Sequence, residues 1–341
     1  MIQLAAELKM TDLRLMGEIL QEALLQKDYV ISQHHHIVIQ MGQARFHPFL
    51  YLMSTIYLSF AGMIGSVKAE NEINVTRNFL PFLEEPQNTD YSFEYISCEK
   101  LGNLQGKLLY AGKEYDVIQK ENGDIIRVFK DHQEDDCVYG YSKLVPFENT
   151  VKIFYLKGNE QHFDDTNNSF FHSSWEQVML WNKRMILHAA LIDTVYGGIL
   201  FSGKSGVGKT TQAELWMHLE NARQINGDRP ILYQNNKEWF GCGSPYAGSS
   251  ECYINECIPI KAIILLEQGD RTELQQLSIS ETVKRIYANC TVYTWNKEFI
   301  ERIINLITDL ASEVPVYRLV NKADQESVET VKKELLKEVI K

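Results

Sequence analysis

Eight consecutive residues carry the clearest chemistry in the chain: Gly203-Lys204-Ser205-Gly206-Val207-Gly208-Lys209-Thr210. They satisfy the pattern G-x-x-x-x-G-K-[ST] in full. Glycines let the backbone curl so that several N–H groups face one point, and a helix that follows adds the partial positive charge of its N-terminus. Lys209 is then placed to neutralise the outer phosphates of a nucleotide, and the Thr210 hydroxyl is a hard oxygen ligand suited to Mg²⁺. The flanks agree with this reading. Residues 198–202, Gly-Ile-Leu-Phe-Ser, read as a strand entering the loop, and a helix leaves it from Thr211 to about His218. The expected ligand is therefore ATP with Mg²⁺, held by residues 203–211. Such a loop establishes phosphate binding and leaves the reaction open.

A reaction needs a carboxylate beside the phosphates, and two candidates lie downstream. Asp228 sits in Gln224-Ile225-Asn226-Gly227-Asp228-Arg229-Pro230, where glycine and proline mark a strand end. Glu267 ends the apolar run Ile263-Ile264-Leu265-Leu266. With Glu267 as the metal-side acid, ordinary ATPase chemistry follows; with Asp228, transfer to a hydroxyl is favoured. Residue types alone leave both open. His188, on an expected strand 186–192, faces the phosphates if that strand neighbours the loop strand. A lone histidine among apolar neighbours is otherwise a satisfied core residue.

Residues 187–198, the loop, and Asn226-Gly227-Asp228-Arg229 taken together resemble the catalytic domain of bacterial HPr kinase/phosphorylase. That group shares a wider fold with ATP-dependent phosphoenolpyruvate carboxykinase. The resemblance spans residues 170–270. It implies Asp228 as the general base and a metal-side ligand with Thr210, His188 as a polar group beside the phosphates, and a Ser or Thr hydroxyl of a protein or peptide as acceptor. Assembly into a homo-oligomer is a further implication, with no stoichiometry fixed. Departures are plain. The family's Asp-Asp-Arg segment reads Gly227-Asp228-Arg229 here. Glu238-Trp239-Phe240-Gly241-Cys242-Gly243 has the outline of the family's second metal-ligand segment at too short a spacing, and no segment for a phosphocarrier protein is visible. The resemblance is to an HPr kinase-related kinase and not to HPr kinase itself. A nucleotide-binding regulator or ATPase without a phosphoacceptor is the alternative.

The rest of the chain has to position these groups. It has 341 residues, 45% of them hydrophobic, which supports a buried core and, at ~150 residues per domain, about two domains. Lys and Arg total 34 against 45 Asp and Glu, a net charge of −11, so a nucleic-acid or anionic-membrane surface is not expected. No apolar run approaches the ~20 residues of a membrane span, and the start lacks a basic segment leading into an apolar one. The expectation is a soluble, cytoplasmic protein.

The expected organisation is an α/β protein whose P-loop core, residues 166–341, is of the HPr kinase and carboxykinase type. A smaller β-rich domain, 53–165, precedes it, and residues 1–52 form an extension of undecided role. Within the extension, residues 10–27 have helical periodicity, and His34-His35-His36 reads as a strand segment rather than a metal site. The β-rich part reads as a meandering antiparallel sheet, with Asn122-Gly123 a strong hairpin signal and Glu134-Asp135-Asp136 a solvated turn. Residues 169–184 read as one helix, and helix, helix, strand and helix follow after residue 278. The glycine- and serine-rich residues 243–251 form a long loop that either covers a ligand or simply connects strands, with Tyr253, Asn255 and Glu256 as candidate pocket residues. Cys242, Cys252 and Cys257, with nine and then four residues between them, fit no zinc spacing and read as reduced packing cysteines.

Overall fold

The computed structural model describes residues 52–131, 137–145 and 148–339. Most of the extension, with the periodic stretch 10–27 and the three histidines, and the acidic run 134–136 lie outside the described residues.

Among the described residues, the first sheet has nine strands. They are β1 (Leu52–Phe60), β2 (Met63–Asn74), β3 (Leu83–Glu84), β4 (Tyr91–Cys98), β5 (Lys107–Ala111), β6 (Tyr115–Gln119), β7 (Ile125–Asp131), β8 (Cys137–Val145) and β9 (Thr150–Leu156), in the order 3-1-2-4-9-8-7-6-5. From β5 to β9 this is the expected meander, and the turn between β6 and β7 carries Gly123 at φ +87°. The other half departs from it, because β4 runs parallel to both β2 and β9. Tyr91, Ser92 and Phe93 are consecutive and all buried, as a strand covered on both faces requires. A 3-10 helix, Arg77–Phe82, connects β2 to the edge strand β3 and buries Phe79 and Phe82.

The stretch expected as one helix over 169–184 is broken. Helix α1 (Thr166–Ser173) and helix α2 (Trp175–Trp181) meet at Ser174, which has φ +55°. The cause is non-local: buried Arg127, from β7, donates to the Ser174 hydroxyl and to the Phe171 carbonyl at the end of α1. Residues 184–186 are already strand.

The second sheet contains β10 (Arg184–Ile186), β11 (Ala189–Thr194), β12 (Gly197–Ser202), β13 (Arg223–Asn226), β14 (Ile231–Asn235), β15 (Glu238–Cys242), β16 (Cys257–Gln268), β17 (Glu273–Gln276) and β18 (Val316–Asn321). Its main path is 10-14-15-16-12-11-13, and the far half of β16 also pairs with β18. The apolar runs of β11, β12 and β16 are explained by helices on both faces. Ala189, Leu191, Leu200, Ile263 and Leu265 pack with helices α4 (Ile279–Tyr287) and α5 (Lys297–Glu313). Ala190, Ile199, Phe201, Ile264 and Leu266 pack with helices α3 (Lys209–Glu220) and α6 (Gln325–Val339). The strand period of two assigns alternate residues to the two layers. A third core joins the first sheet to α1 and α2, and to Ile186, Ile231 and Cys242 of the second sheet.

The expectation of reduced cysteines is overturned at one pair. Cys242 and Cys257 face each other in register across β15 and β16, with Cα atoms 4.0 Å apart, and form a disulfide. The long loop between the strands hides this apposition in the sequence. Cys252 stays free. Among the described residues, no helix is long and apolar enough to cross a membrane.

Candidate functional site

Strand order brings the predicted residues to one edge of the second sheet. β11 is antiparallel to both β12 and β13, with Ala189 opposite Ser202 and Leu191 opposite Asn226. The start of β11 therefore lies beside the ends of β12 and β13. His188 immediately precedes β11, the glycine loop immediately follows β12, and Asp228 follows β13. β16 runs parallel to β12, so Glu267 arrives at the same edge. This is the carboxyl-end edge at which open α/β sheets bind ligands.

His188 is not inside a strand, as the sequence reading had it. It lies in the gap between β10 and β11, where its N–H donates to the Asn289 carbonyl (2.8 Å) and its carbonyl accepts from the Ser202 hydroxyl (2.8 Å). Its ring Nε2 reaches Asp228 Oδ1 at 3.1 Å. Burial, and then the nearby Lys209 cation, hold the imidazole below its ordinary pKa, against the opposing pull of Asp228. A neutral ring that donates from Nε2 to the carboxylate fits both facts.

Asp228 stands on a turn built by Asn226. The fully buried Asn226 side chain accepts from the N–H groups of Asp228 (3.1 Å) and Arg229 (2.8 Å), and donates to the Ser244 carbonyl (3.0 Å). The Asp228 carbonyl accepts from the Ala189 N–H at 3.0 Å, which locks the turn to β11. Arg229 Nε lies 3.3 Å from Asp228 Oδ2, and Nη1 donates to Thr291. Gly227 is required by close approach: a Cβ there would lie 1.8 Å from Ser250 Oγ and 2.7 Å from the Ala247 carbonyl oxygen. The side chain that the resembled family carries at this position has no room.

The loop fits an anion on its own geometry. Gly203, Gly206 and Gly208 all have positive φ, and Gly208 is the N-cap of α3 with no side-chain capping bond. The first N–H groups of a twelve-residue helix are thus left to the loop. Lys209 is buried, and its Nζ donates to the carbonyls of Gly203 (3.3 Å) and Lys204 (3.4 Å). Burial lowers its pKa, and the Asp228 carboxylate works the other way. Thr210 follows, half-buried, and Thr211 is exposed. A hydroxyl and a carboxylate, from Thr210 and Asp228, are the hard oxygen donors that Mg²⁺ prefers.

Glu267 has other partners. Arg318 Nε donates to its Oε2 at 2.7 Å and Arg285 Nη1 to its Oε1. The Arg285 hydrogen bond first, with Arg318 adding, keeps its carboxyl below the usual range. Of the three other residues singled out downstream, Tyr253 lines a cavity with Asp228, Asn255 bonds Ser59, and Glu256 pairs with Arg223.

Two cavities meet this edge. One, of about 520 Å³, is bounded by residues 203–207 of the loop, residues 265–268, Arg285 and Asn289. The other, of about 810 Å³, is bounded by Asp228, Arg229, Thr291, part of the loop 243–251 and the 3-10 helix. They share no lining residue. The paired segments 186–188 and 289–291 run between them, with Asn289 on one side and Ile186 and Thr291 on the other. Asn226, Asn289 and Glu176, which also lines the larger cavity, were not singled out from sequence. Asn226 stood within the quoted motif, whereas nothing local marks the other two.

No protein-family model matches the chain, and no curated protein matches it. Among solved structures it is similar to the Hpr(Ser) kinase/phosphatase from Coxiella burnetii, at 11% sequence identity and a TM-score of 0.28, over 45% of this chain and 97% of that one. A likeness this remote carries no functional argument, so the functional reading rests on the site itself.

Proposed function

We propose that the chain is an ATP-dependent phosphotransferase that moves the γ-phosphate to a hydroxyl, of the kind carried by Ser or Thr in a protein or peptide. The observation that carries this reading is the 3.1 Å contact of His188 with Asp228 at the edge where the glycine loop and Lys209 also lie. The N–H groups of the loop and of α3 would hold the phosphates, and Lys209 would exchange its loop carbonyls for phosphate oxygens. Thr210 and Asp228 would hold Mg²⁺, which neutralises charge on the phosphates when bound. Asp228 accepts the acceptor's proton as its oxygen bonds to the γ-phosphorus; the bond to the β,γ-bridging oxygen breaks and ADP leaves. His188 and Arg229 hold the carboxylate in place. Positioning and charge neutralisation supply most of the rate.

The alternative, an ATPase or nucleotide-responsive regulator acting through Glu267, is favoured only by Glu267 lining the loop's cavity. Its two arginine partners argue against it. The discriminating experiment follows γ-labelled phosphate in cell extract, with Lys209→Ala as control. Lys209-dependent label on an acceptor supports the phosphotransferase; Lys209-dependent label found only as free phosphate sinks it.

A further inference from the structure

The 810 Å³ cavity is in the size range of a site for a drug-sized molecule or a short peptide segment. Asp228 lines it, and six separate parts of the chain wall it. Asn78 of the 3-10 helix ties three of them together, donating to Asn167 Oδ1 (2.9 Å) and to the Pro245 carbonyl (3.1 Å). The β-rich part of the chain thus contributes directly to a cavity that borders the candidate base.

Its charges are nearly all accounted for. Arg77 and Glu251 pair with each other at the rim, 3.7 Å apart, and Arg229 pairs with Asp228. Glu176 is the exception. Its half-buried carboxylate accepts from the Tyr293 hydroxyl at 2.9 Å and forms no ion pair among the described residues; Arg127, whose guanidinium lies 5.8 Å from the Tyr293 ring centre, is bonded instead to Ser174 and the Phe171 carbonyl. Aromatic rings share the cavity with it: Trp175, Tyr246, Phe171 and Tyr253. A carboxylate without an ion pair, set among aromatic rings, favours a cation through charge and through the ring faces.

Building on the phosphotransferase reading, we infer that this cavity is the acceptor site and that it selects a hydroxyl-bearing acceptor carrying a protonated amine, which Glu176 holds. The amine is bound and not phosphorylated. The hydroxyl gives its proton to Asp228 while its oxygen takes the γ-phosphate and ADP departs. Both a small amino alcohol and a peptide with a free amine near its hydroxyl carry this chemistry.

The test uses extract of the source cells, with and without N-acetylation of its amines and then split by size, as acceptor with γ-labelled ATP and the full chain. The expected result is that acceptor activity is lost on acetylation. Glu176→Gln, which can still accept from Tyr293, then lowers transfer roughly tenfold at limiting acceptor, with the KM for ATP unchanged and kcat recovered at saturating acceptor. Phe171→Leu, at a side chain already 40% exposed, repeats the test without touching a charge and should lower transfer severalfold. The size split tells a small amine from a peptide. Acceptor activity that survives acetylation, or wild-type kinetics in both variants, overturns the inference and leaves the phosphotransferase intact. Lys209-dependent free phosphate with no labelled acceptor in any fraction removes the phosphotransferase reading, and the inference with it.

Discussion

Nε2 of His188 and Oδ1 of Asp228 lie 3.1 Å apart although forty residues separate them in the chain, because the start of β11 and the end of β13 are neighbours. The pair gives the two residues different expected phenotypes. On the proposed reading, Asp228→Asn removes the proton acceptor and should lower transfer by about 10²–10⁴-fold, while the loop still binds ATP and the amide oxygen serves as a weaker metal ligand. His188→Gln removes a positioning contact and should lower transfer by up to about a hundredfold. The pH profile separates the roles. Burial and Lys209 hold the imidazole below its ordinary pKa of 6.5, so it stays neutral as pH falls past that value. A protonated ring still donates from Nε2 but sets a cation against the carboxylate and lowers its basicity, so the acid limb of kcat/KM due to His188 should lie below pH 6.5 and be absent in His188→Gln. An unchanged limb in that variant would take His188 out of the site.

Glu267 is held by Arg285 and Arg318, and this sets a second prediction. Glu267→Gln should leave transfer near the wild-type rate and cost about 1 kcal/mol of stability, since its side chain is 35% exposed. Transfer assays and denaturant midpoints check the two parts. Loss of transfer in a variant that stays folded would return the catalytic carboxylate to Glu267.

His172 gives a stability prediction away from the site. Its Nδ1 faces the Asn168 carbonyl at 2.6 Å, which can only accept, so Nδ1 carries the proton and Nε2 accepts from the Tyr139 hydroxyl at 2.7 Å. Both nitrogens are used by the neutral ring, and burial pushes the pKa down to about 3. The unfolded chain then binds a proton between pH 6.5 and about 3 that the folded chain refuses. Stability rises with pH in that window and is lost as pH falls through it, by a few kcal/mol at about 1.4 kcal/mol per pKa unit. Denaturant midpoints at pH 7.5, 6 and 5 should fall in that order, more steeply than in His172→Gln. Equal slopes would show that other groups carry the acid sensitivity.

What the sequence disclosed was what is local. The glycine loop, its strand and helix α3 are contiguous, so their chemistry is written in adjacent residues. The order His188, loop, Asp228 was visible, but their meeting depends on the order of β11, β12 and β13, which no short window contains. The break at Ser174 needs Arg127 from β7, the Cys242–Cys257 pairing needs the register of β15 on β16, and the parallel placement of β4 needs β2 and β9. Glu176 reads as an ordinary helix-surface acid until residues from the β-rich part and the 243–251 loop are folded around it.

Gly227 tests how firmly that loop is held. The family pattern that this segment resembles has an acid there, but a Cβ would meet Ser250 Oγ at 1.8 Å and the Ala247 carbonyl oxygen at 2.7 Å. The serine can rotate away; the carbonyl belongs to the loop backbone and cannot move alone. Gly227→Ala should therefore destabilise the fold by about 1–3 kcal/mol, as overpacking does, and Gly227→Asp by at least as much. Ser250→Gly added to Gly227→Ala removes only the first clash, so stability should recover in part. Transfer should fall in both single variants, because the displaced loop carries Tyr246 and Ala247 of the wall beside Asp228. If Gly227→Asp instead keeps the wild-type denaturation midpoint and raises transfer, the loop yields freely and the lack of a second carboxylate, not steric fit, limits this site.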